Sequence, residues 1–398
     1  MHVVYLGVVS QPDSTIKTRE LSVAGNKMQY NLLKYLSKYD DIKIDVVSFY
    51  PYKGRKYSKK LFVKTTKEKL FDNVDLYQVG YINLPIIKQL ILPLKTYKLA
   101  RRLTAREDVV MSYDMYPTQG IPMSRLSKKV DGKTICLLAD LSIGGVQKLR
   151  GIKKFLRWVY DKNTLSNIKK CRHYIVLNEN VVKTYIPNCK HMVMDGGIEP
   201  SEFADNGHCW DGKQKNIIYT GALVDYSGII NLITAMNSVK NTDIVLDIYG
   251  DGPLKSKIEE IAKKDSRIRY YGKVDNQEAI RKQQTAWLLA NPRPIDTLIA
   301  QVTFPSKIFE YLMSGRPVMT TRLNGFSRDY DDLLFWVDGG DAESLAAKIN
   351  EIDRETDENL RLIAKNAKAY LLKNKTWAIN TEKIYCFLKK VLNDNTEN

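Results

Sequence analysis

Four residues near position 305 combine the means to hold an anion and a diol. In FPSKIFEYLMSGRPVM, residues 304–319, Pro305 stands where a helix can begin, because the N–H it lacks is not needed in a first turn. The free N–H groups of a helix start, Ser306 among them, attract an anion. Lys307 adds a positive point charge there, and Glu310, one turn on, offers two acceptors. A nucleoside diphosphate makes both demands, phosphate on Lys307 and ribose hydroxyls on Glu310. The same two residues, three apart, also read as a surface ion pair worth about 0.2–0.5 kcal/mol. Taken alone, the segment leaves the two readings level. Gly315 and Pro317 stop the helix, and Val318-Met319 resumes an apolar run.

The elements that must position these residues are legible as short apolar runs. HVVYLGVV, IKIDVVSFY, DLYQVGYI, VVMSYD, TICLLAD, HYIVLN and HMVMDG are rich in Val, Ile and Tyr. Helical patterns lie between them, such as NKMQYNLLKYLSKY with Met28, Leu32, Leu36 and Tyr39 on one stripe. Such alternation predicts parallel strands with crossover helices. The pattern then repeats with NIIYTG, IVLDIYG, RIRYYG, WLLANP, PVMTT and LFWVD. The fold class is therefore α/β, two doubly wound Rossmann-like domains, 1–195 and 196–375, joined near Asp195-Gly196-Gly197. A strandless helix, 376–398, follows. Ligands of such sheets sit outside the carboxyl ends of the strands, and two sheets suggest a cleft between them. The strand-end loops carry Gly221 (TGALVDYSG), Gly250 (YGDGP), Gly272 and Val274 (YGKVDNQE) and Arg293 (NPRPIDT). By itself, Gly250-Asp251-Gly252 is more readily a turn than a phosphate cradle.

The totals remove several classes of function. With 398 residues, 44% hydrophobic and 27% charged, the chain reads as a globular protein of two domains. It has no apolar stretch long enough to span a bilayer, and MHVVYLGVVSQPDS reads as a first strand, not a leader. Its five cysteines form no C-x-x-C pair and its four histidines are scattered. A zinc site or a Cys/His nucleophile has little support, and a reducing cytoplasm fits. The net charge of +17 is unevenly placed: residues 1–195 hold 35 Lys+Arg against 16 Asp+Glu, and the remainder 27 against 29. An anionic partner for the first half follows.

Three segments then carry a resemblance: IIYTGALVDYSGIINLITAM, LDIYGDGPLKSKIEEIAKKDSRIRYYGKVDNQE and FPSKIFEYLMSGRPVMTT, with AGNKMQYNLLKYL in the first domain. In order and spacing the chain resembles the retaining GT-B nucleotide-sugar glycosyltransferases, in the large bacterial branch that builds surface polysaccharides such as capsules. The resemblance implies acceptor binding in the first domain, a UDP- or GDP-sugar donor on the second, and a last helix that crosses back to the first. It implies transfer with retention and no cofactor or metal, because protein cations neutralise the leaving diphosphate. By position, Glu310 matches the ribose-binding acid, Gly272 and Val274 the loop on the base, and Gly25 and Asn26 the first-domain loop near the phosphates. The chain also departs from the family. Many relatives pair two glutamates, and the first position is Val302 here. Many carry Arg and Lys as diphosphate ligands, where this chain has Ala222 and Ser227. Lys307 and Arg293 are the cations expected to replace them. Where the family often has a histidine stands Asp140, either a catalytic carboxylate that accepts the acceptor's proton or a cap.

The basic half has its own reading. YKGRKYSKKLFVKTTKEKL (52–70) and YINLPIIKQLILPLKTYKLARRL (81–103), the latter expected to be broken at Pro85 and Pro93, mix bases with apolar and aromatic residues. Such segments bind anionic bilayers, so residues 52–103 are expected on the inner face of the membrane, where a lipid-linked glycan acceptor would be met; the alternative is a solvated loop and a core helix. A cytoplasmic, peripherally membrane-bound enzyme is the expectation. Nucleic acid is not an expected partner, since no helix-turn-helix, zinc-finger or RNA-binding signature occurs. A GT-B sugar-nucleotide epimerase and a non-catalytic nucleotide-sugar or glycan binder remain as alternatives.

Overall fold

The computed structural model describes residues 1–11, 22–51, 61–139, 150–203, 209–296 and 304–394. The chain divides into two compact units, Met1–Met194 with Trp377–Asn398, and Asp195–Thr376.

Unit 1 is built on strands buried on both faces, which is why they read as unbroken apolar runs. Its elements are β1 (His2–Leu6), α1 (Val23–Leu36), β2 (Lys43–Ser48), β3 (Phe62–Val63), β4 (Thr66–Phe71), β5 (Val74–Gln78), β6 (Tyr81–Ile82), α2 (Pro85–Leu103), β7 (Val109–Tyr113), α3 (Pro117–Leu126), β8 (Thr134–Leu138), α4 (Ile152–Ile168), β9 (His173–Val176), α5 (Glu179–Tyr185) and β10 (Lys190–Val193). The main sheet has the order β10-β9-β8-β7-β1-β2-β5-β4. It is parallel except for β4, which runs antiparallel to β5. β1 sits centrally, with Val3 opposite Ile44 on one side and Val109 on the other.

One alternative and one expectation for the basic half are corrected here. Residues 66–71 are not a solvated loop but the edge strand β4, where Lys67 pairs with Asp75 at 2.9 Å and lies over the Tyr77 ring. A charged edge strand discourages pairing with another chain. Nor do the prolines break the second segment. Pro85 occupies the first turn of α2, and the helix continues past Pro93 to Leu103. Pro93 removes one helical hydrogen bond, while Leu92, Thr96 and Ala100 hold the helix on the unit by their burial. Residues 52–60 lie outside the described residues.

Unit 2 comprises β11 (Asn216–Ala222), α6 (Ile229–Ala235), β12 (Val245–Asp251), α7 (Lys255–Ala262), β13 (Ile268–Gly272), α8 (Asn276–Gln284), β14 (Leu288–Asn291), α9 (Lys307–Met313), β15 (Val318–Thr321), β16 (Phe335–Val337), α10 (Ala342–Ile352) and α11 (Asp357–Asn374). Its described strands are all parallel, in the order β13-β12-β11-β14-β15-β16. Ile217, Leu246, Leu288 and Trp287 anchor the core. The chain enters at Asp195 and leaves through Lys375. The Lys375 ammonium lies 2.9 and 2.8 Å from the two Asp195 oxygens, and Tyr330 donates a 2.5 Å hydrogen bond to the same carboxylate. A last helix, α12 (Trp377–Asn393), belongs to unit 1 and packs on α1. Tyr385 stacks on Tyr39 there, with ring centroids 3.9 Å apart.

Candidate functional site

In unit 2 the strand order reverses between β11 and β14: β12 and β13 extend the sheet one way, β15 and β16 the other. Loops diverge at such a switch point and leave room for a ligand. Two loops meet there. The loop after β11 ends in Gly228, with φ 76°, and a Cβ there would stand 1.7 Å from the carbonyl oxygen of Pro292, in the loop after β14. Only glycine permits this approach. The loop after β14 is pinned from the other side, because Thr321 Oγ1 donates a 2.6 Å hydrogen bond to the Arg293 carbonyl. The carboxyl end of β12 is fitted equally closely: a Cβ on Gly250 would lie 1.9 Å from the Gly221 carbonyl oxygen.

Arg293 projects from this pinned loop. Burial pushes its guanidinium below its ordinary value, and the Tyr219 and Tyr226 hydroxyls near it only partly offset that. Among the described residues no carboxylate pairs with it. A partly buried cation without a carboxylate partner carries a cost in a folded chain, and an anionic ligand would relieve it. Tyr219 and Tyr226 were not singled out from sequence; IIYTGALVDYSG drew attention for its glycines, and nothing in it marks which side chains turn toward a residue 74 and 67 positions away.

Lys307 and Glu310 lie on α9, which is fixed at the same end of the sheet. Tyr311 is buried, and its hydroxyl accepts from the Thr220 amide at 2.9 Å and donates to the Thr220 carbonyl at 3.2 Å. Ile308, Phe309, Leu312 and Met313 are buried, whereas Lys307 and Glu310 are partly exposed. The two form an ion pair of 2.7 Å. Pro305 is buried and Ser306 exposed, and Ser306 makes no side-chain cap. Gly272 closes β13 with open space over its Cα, and Val274 is partly exposed beside it. Ser227 holds its own loop by donating to the Val224 carbonyl at 2.7 Å, and Ala222 is exposed. Gly221, Gly250, Arg293 and Lys307-Glu310 thus share the carboxyl end of one sheet; Gly272 and Val274 stand at its β13 edge.

Gly25 and Asn26 lie in the first turn of α1 in unit 1. Asn26 clasps the loop after β1: its Oδ1 accepts from the Ser10 amide and its Nδ2 donates to the Ser10 carbonyl, both at 3.0 Å. Asp140 lies outside the described residues. Before it, Asp114 directly follows β7 with φ 56° and accepts from the Ala139 amide at 2.9 Å. That backbone region is unfavourable for a non-glycine residue, so a second carboxylate at this strand end is held in a strained position. VVMSYD reads as a strand candidate, and nothing in it marks the strain at its Asp.

Among the described residues no group of three or more His, Cys, Asp or Glu could hold a metal ion.

The family described as Glycosyl transferases group 1 matches residues 214–354, the part of unit 2 that carries these loops and α9. No curated protein matches the chain in sequence. Solved structures share its fold at low identity. The sucrose-phosphate synthase of Thermosynechococcus elongatus is 13% identical, with a TM-score of 0.71, covering 99% of this chain and 100% of its own. HepE of Anabaena, in complex with UDP, is 14% identical, with a TM-score of 0.67 and coverage of 98% and 100%. An E. coli structure described as trehalose-6-phosphate bound with UDP-2-fluoro glucose is 11% identical, with a TM-score of 0.67 and coverage of 98% and 99%. These likenesses show the fold, two Rossmann-like units of the GT-B type.

Proposed function

We propose that this chain, a GT-B protein whose residues 214–354 match the group 1 glycosyl transferases, moves a sugar from a nucleoside diphosphate donor to a hydroxyl of a lipid-linked glycan, with retention. The observation that carries the donor assignment is Arg293, a partly buried guanidinium at the β11/β14 switch point that no carboxylate pairs with among the described residues. Ala222 and Ser227 offer the diphosphate no cation, and Arg293 supplies one from the neighbouring loop. Lys307 supplies a second when its pair with Glu310 opens. A partly exposed i, i+3 pair of this kind is worth about 0.2–0.5 kcal/mol, less than a charge-assisted contact to phosphate. The opened Glu310 then accepts from the ribose hydroxyls. Gly221 and Gly250 let backbone approach the phosphates, Pro305 and Ser306 present the start of α9, and Gly272 and Val274 lie along the base.

As the glycosidic bond breaks, negative charge develops on the leaving diphosphate, and fixed cations lower the barrier there. In this reading Arg293 and Lys307 do this work and no metal is required. Gly25 and Asn26 are the unit 1 residues this reading assigns to donor binding, and Asp140 receives or orients the acceptor hydroxyl. The acceptor lies at the inner face of the membrane, to which residues 52–103 bring the basic unit, and the product joins a surface polysaccharide. Solved neighbours described with UDP or a UDP-sugar support the donor class.

The test is release of nucleoside diphosphate from UDP- and GDP-sugars, with and without a lipid diphosphate-linked sugar, with the product anomer read by NMR. Acceptor-dependent release with the donor's anomeric configuration is expected. Epimerised donor in the absence of acceptor would overturn transfer in favour of an epimerase.

A further inference from the structure

Helix α4 is inside out. The residues it buries are largely polar: Asp161, Thr164 and Asn167, with Ile168. They are satisfied locally, Asp161 by Arg157 at 2.8 Å and Asn167 by Ser124 at 3.1 Å. Its opposite face is apolar. Ile152, Phe155, Leu156 and Val159, spaced i, i+3, i+4, i+7, are 75, 60, 57 and 43% exposed. A helix shaped only by folding in water places these two faces the other way round. Trp158 is exposed beside the stripe with Lys162 over its ring at 4.1 Å, and Arg150, Lys153 and Lys154 are exposed around it.

Helix α2 also carries an outward apolar stripe, although its buried face is largely apolar as well. Ile87, Leu90, Ile91 and Leu94 have the same spacing, Leu90 being 67% exposed, while Leu92, Thr96 and Ala100 face inward. The helix contains Lys88, Lys95, Lys98, Arg101 and Arg102 and no acid. α3 packs against both α2 and α4. The three helices return the chain to the starts of the parallel strands β7, β8 and β9, so their first halves lie at one end of the sheet. The two stripes are therefore neighbours, about 20 Å apart at two helix spacings.

We propose that the first halves of α2 and α4 form a docking face for an anionic lipid bilayer, with the apolar stripes entering the headgroup boundary and the flanking bases meeting lipid phosphates. This deepens the reading of a membrane-borne acceptor and rests on it for its purpose, but the face is argued from its own exposure and charge. Amphipathic helices with Trp, Phe and Leu beside lysines are the elements that lie in a bilayer interface. A second copy of the chain is a poorer occupant, since a twofold contact would set one basic face against another.

The test is co-sedimentation of the full chain, without donor or acceptor, with vesicles of phosphatidylcholine alone or with phosphatidylglycerol added. Partitioning is expected to rise about tenfold or more with the anionic lipid, with a blue shift in emission that W158F diminishes. F155S/L156S/V159S, at exposed positions, is expected to keep the wild-type melting temperature and lose about tenfold or more of that partitioning. Equal partitioning of wild type to both vesicle types, binding by the triple variant at the wild-type level, or a dimer in vesicle-free solution that the triple variant dissociates would each overturn the proposal. Nucleotide binding is measured separately, so failure here leaves the donor site standing, and failure there leaves this face standing.

Discussion

At the scale of single residues, Arg293 is a cation that no carboxylate pairs with among the described residues. Arg293→Ala is expected to lower kcat/KM for the donor about 100-fold, read by nucleotide release. Arg293→Lys keeps the charge but loses the planar fork, so it recovers only part of that loss. Unchanged activity and donor affinity in both Arg293→Ala and Lys307→Ala would remove the proposed phosphate site. His2 offers a separate check on unit 1. It lies 3.2 Å from Asp45 and 2.8 Å from Asp108. The hydrogen bond to Asp45, with help from Asp108, raises its pKa above the ordinary 6.5 against the opposing effect of burial. Its folded pKa being raised, its stabilisation is complete below pH 6.5 and is lost as pH rises through the raised value. Thermal melts of wild type and His2→Asn should therefore differ at pH 6 and converge by pH 9; a constant difference would contradict the assignment.

At the scale of elements, the switch point depends on two loops touching. Gly228→Ala places a methyl against the Pro292 carbonyl in a backbone region that alanine avoids, and should cost about 2–4 kcal/mol in thermal or urea unfolding. Most of the elements of this framework were legible. Strands buried on both faces announce themselves as apolar runs, and the expected runs of both units became parallel strands, except that the end of DLYQVGYI became β6, antiparallel to β3. What escaped was polar or depended on partners. β4 (TKEKLF) is an edge strand whose charges hide its pairing with β5. α2 runs through Pro93 because buried neighbours outweigh one missing hydrogen bond. At the site, Lys307 and Glu310 were visible from spacing, but their 2.7 Å pairing with each other was one of two open readings. The Tyr219 and Tyr226 hydroxyls near Arg293, and the strain at Asp114, are tertiary facts that no local pattern encodes.

At the scale of the whole molecule, the chain enters and leaves unit 2 through a buried clasp. Lys375 and Asp195 are each nearly inaccessible, at 13 and 10% side-chain exposure. Breaking such a pair leaves an uncompensated charge. Lys375→Met should destabilise unit 2 by about 3–5 kcal/mol, whereas Asp195→Leu with Lys375→Met should recover most of the loss. Equal stability of the single variant and wild type in denaturant titration would show that the clasp is not needed. The charge asymmetry also belongs to this scale, with the basic excess confined to residues 1–195 and the outward apolar stripes of α2 and α4 within it.

The most direct test of the donor site is isothermal titration of UDP, GDP and ADP into wild type, Arg293→Ala and Glu310→Ala. The account predicts that one nucleotide binds wild type, that Glu310→Ala loses it, and that Arg293→Ala binds it at least about tenfold more weakly. Binding of none of the three, or equal binding by all three proteins, would contradict a diphosphate site at the β11/β14 switch point.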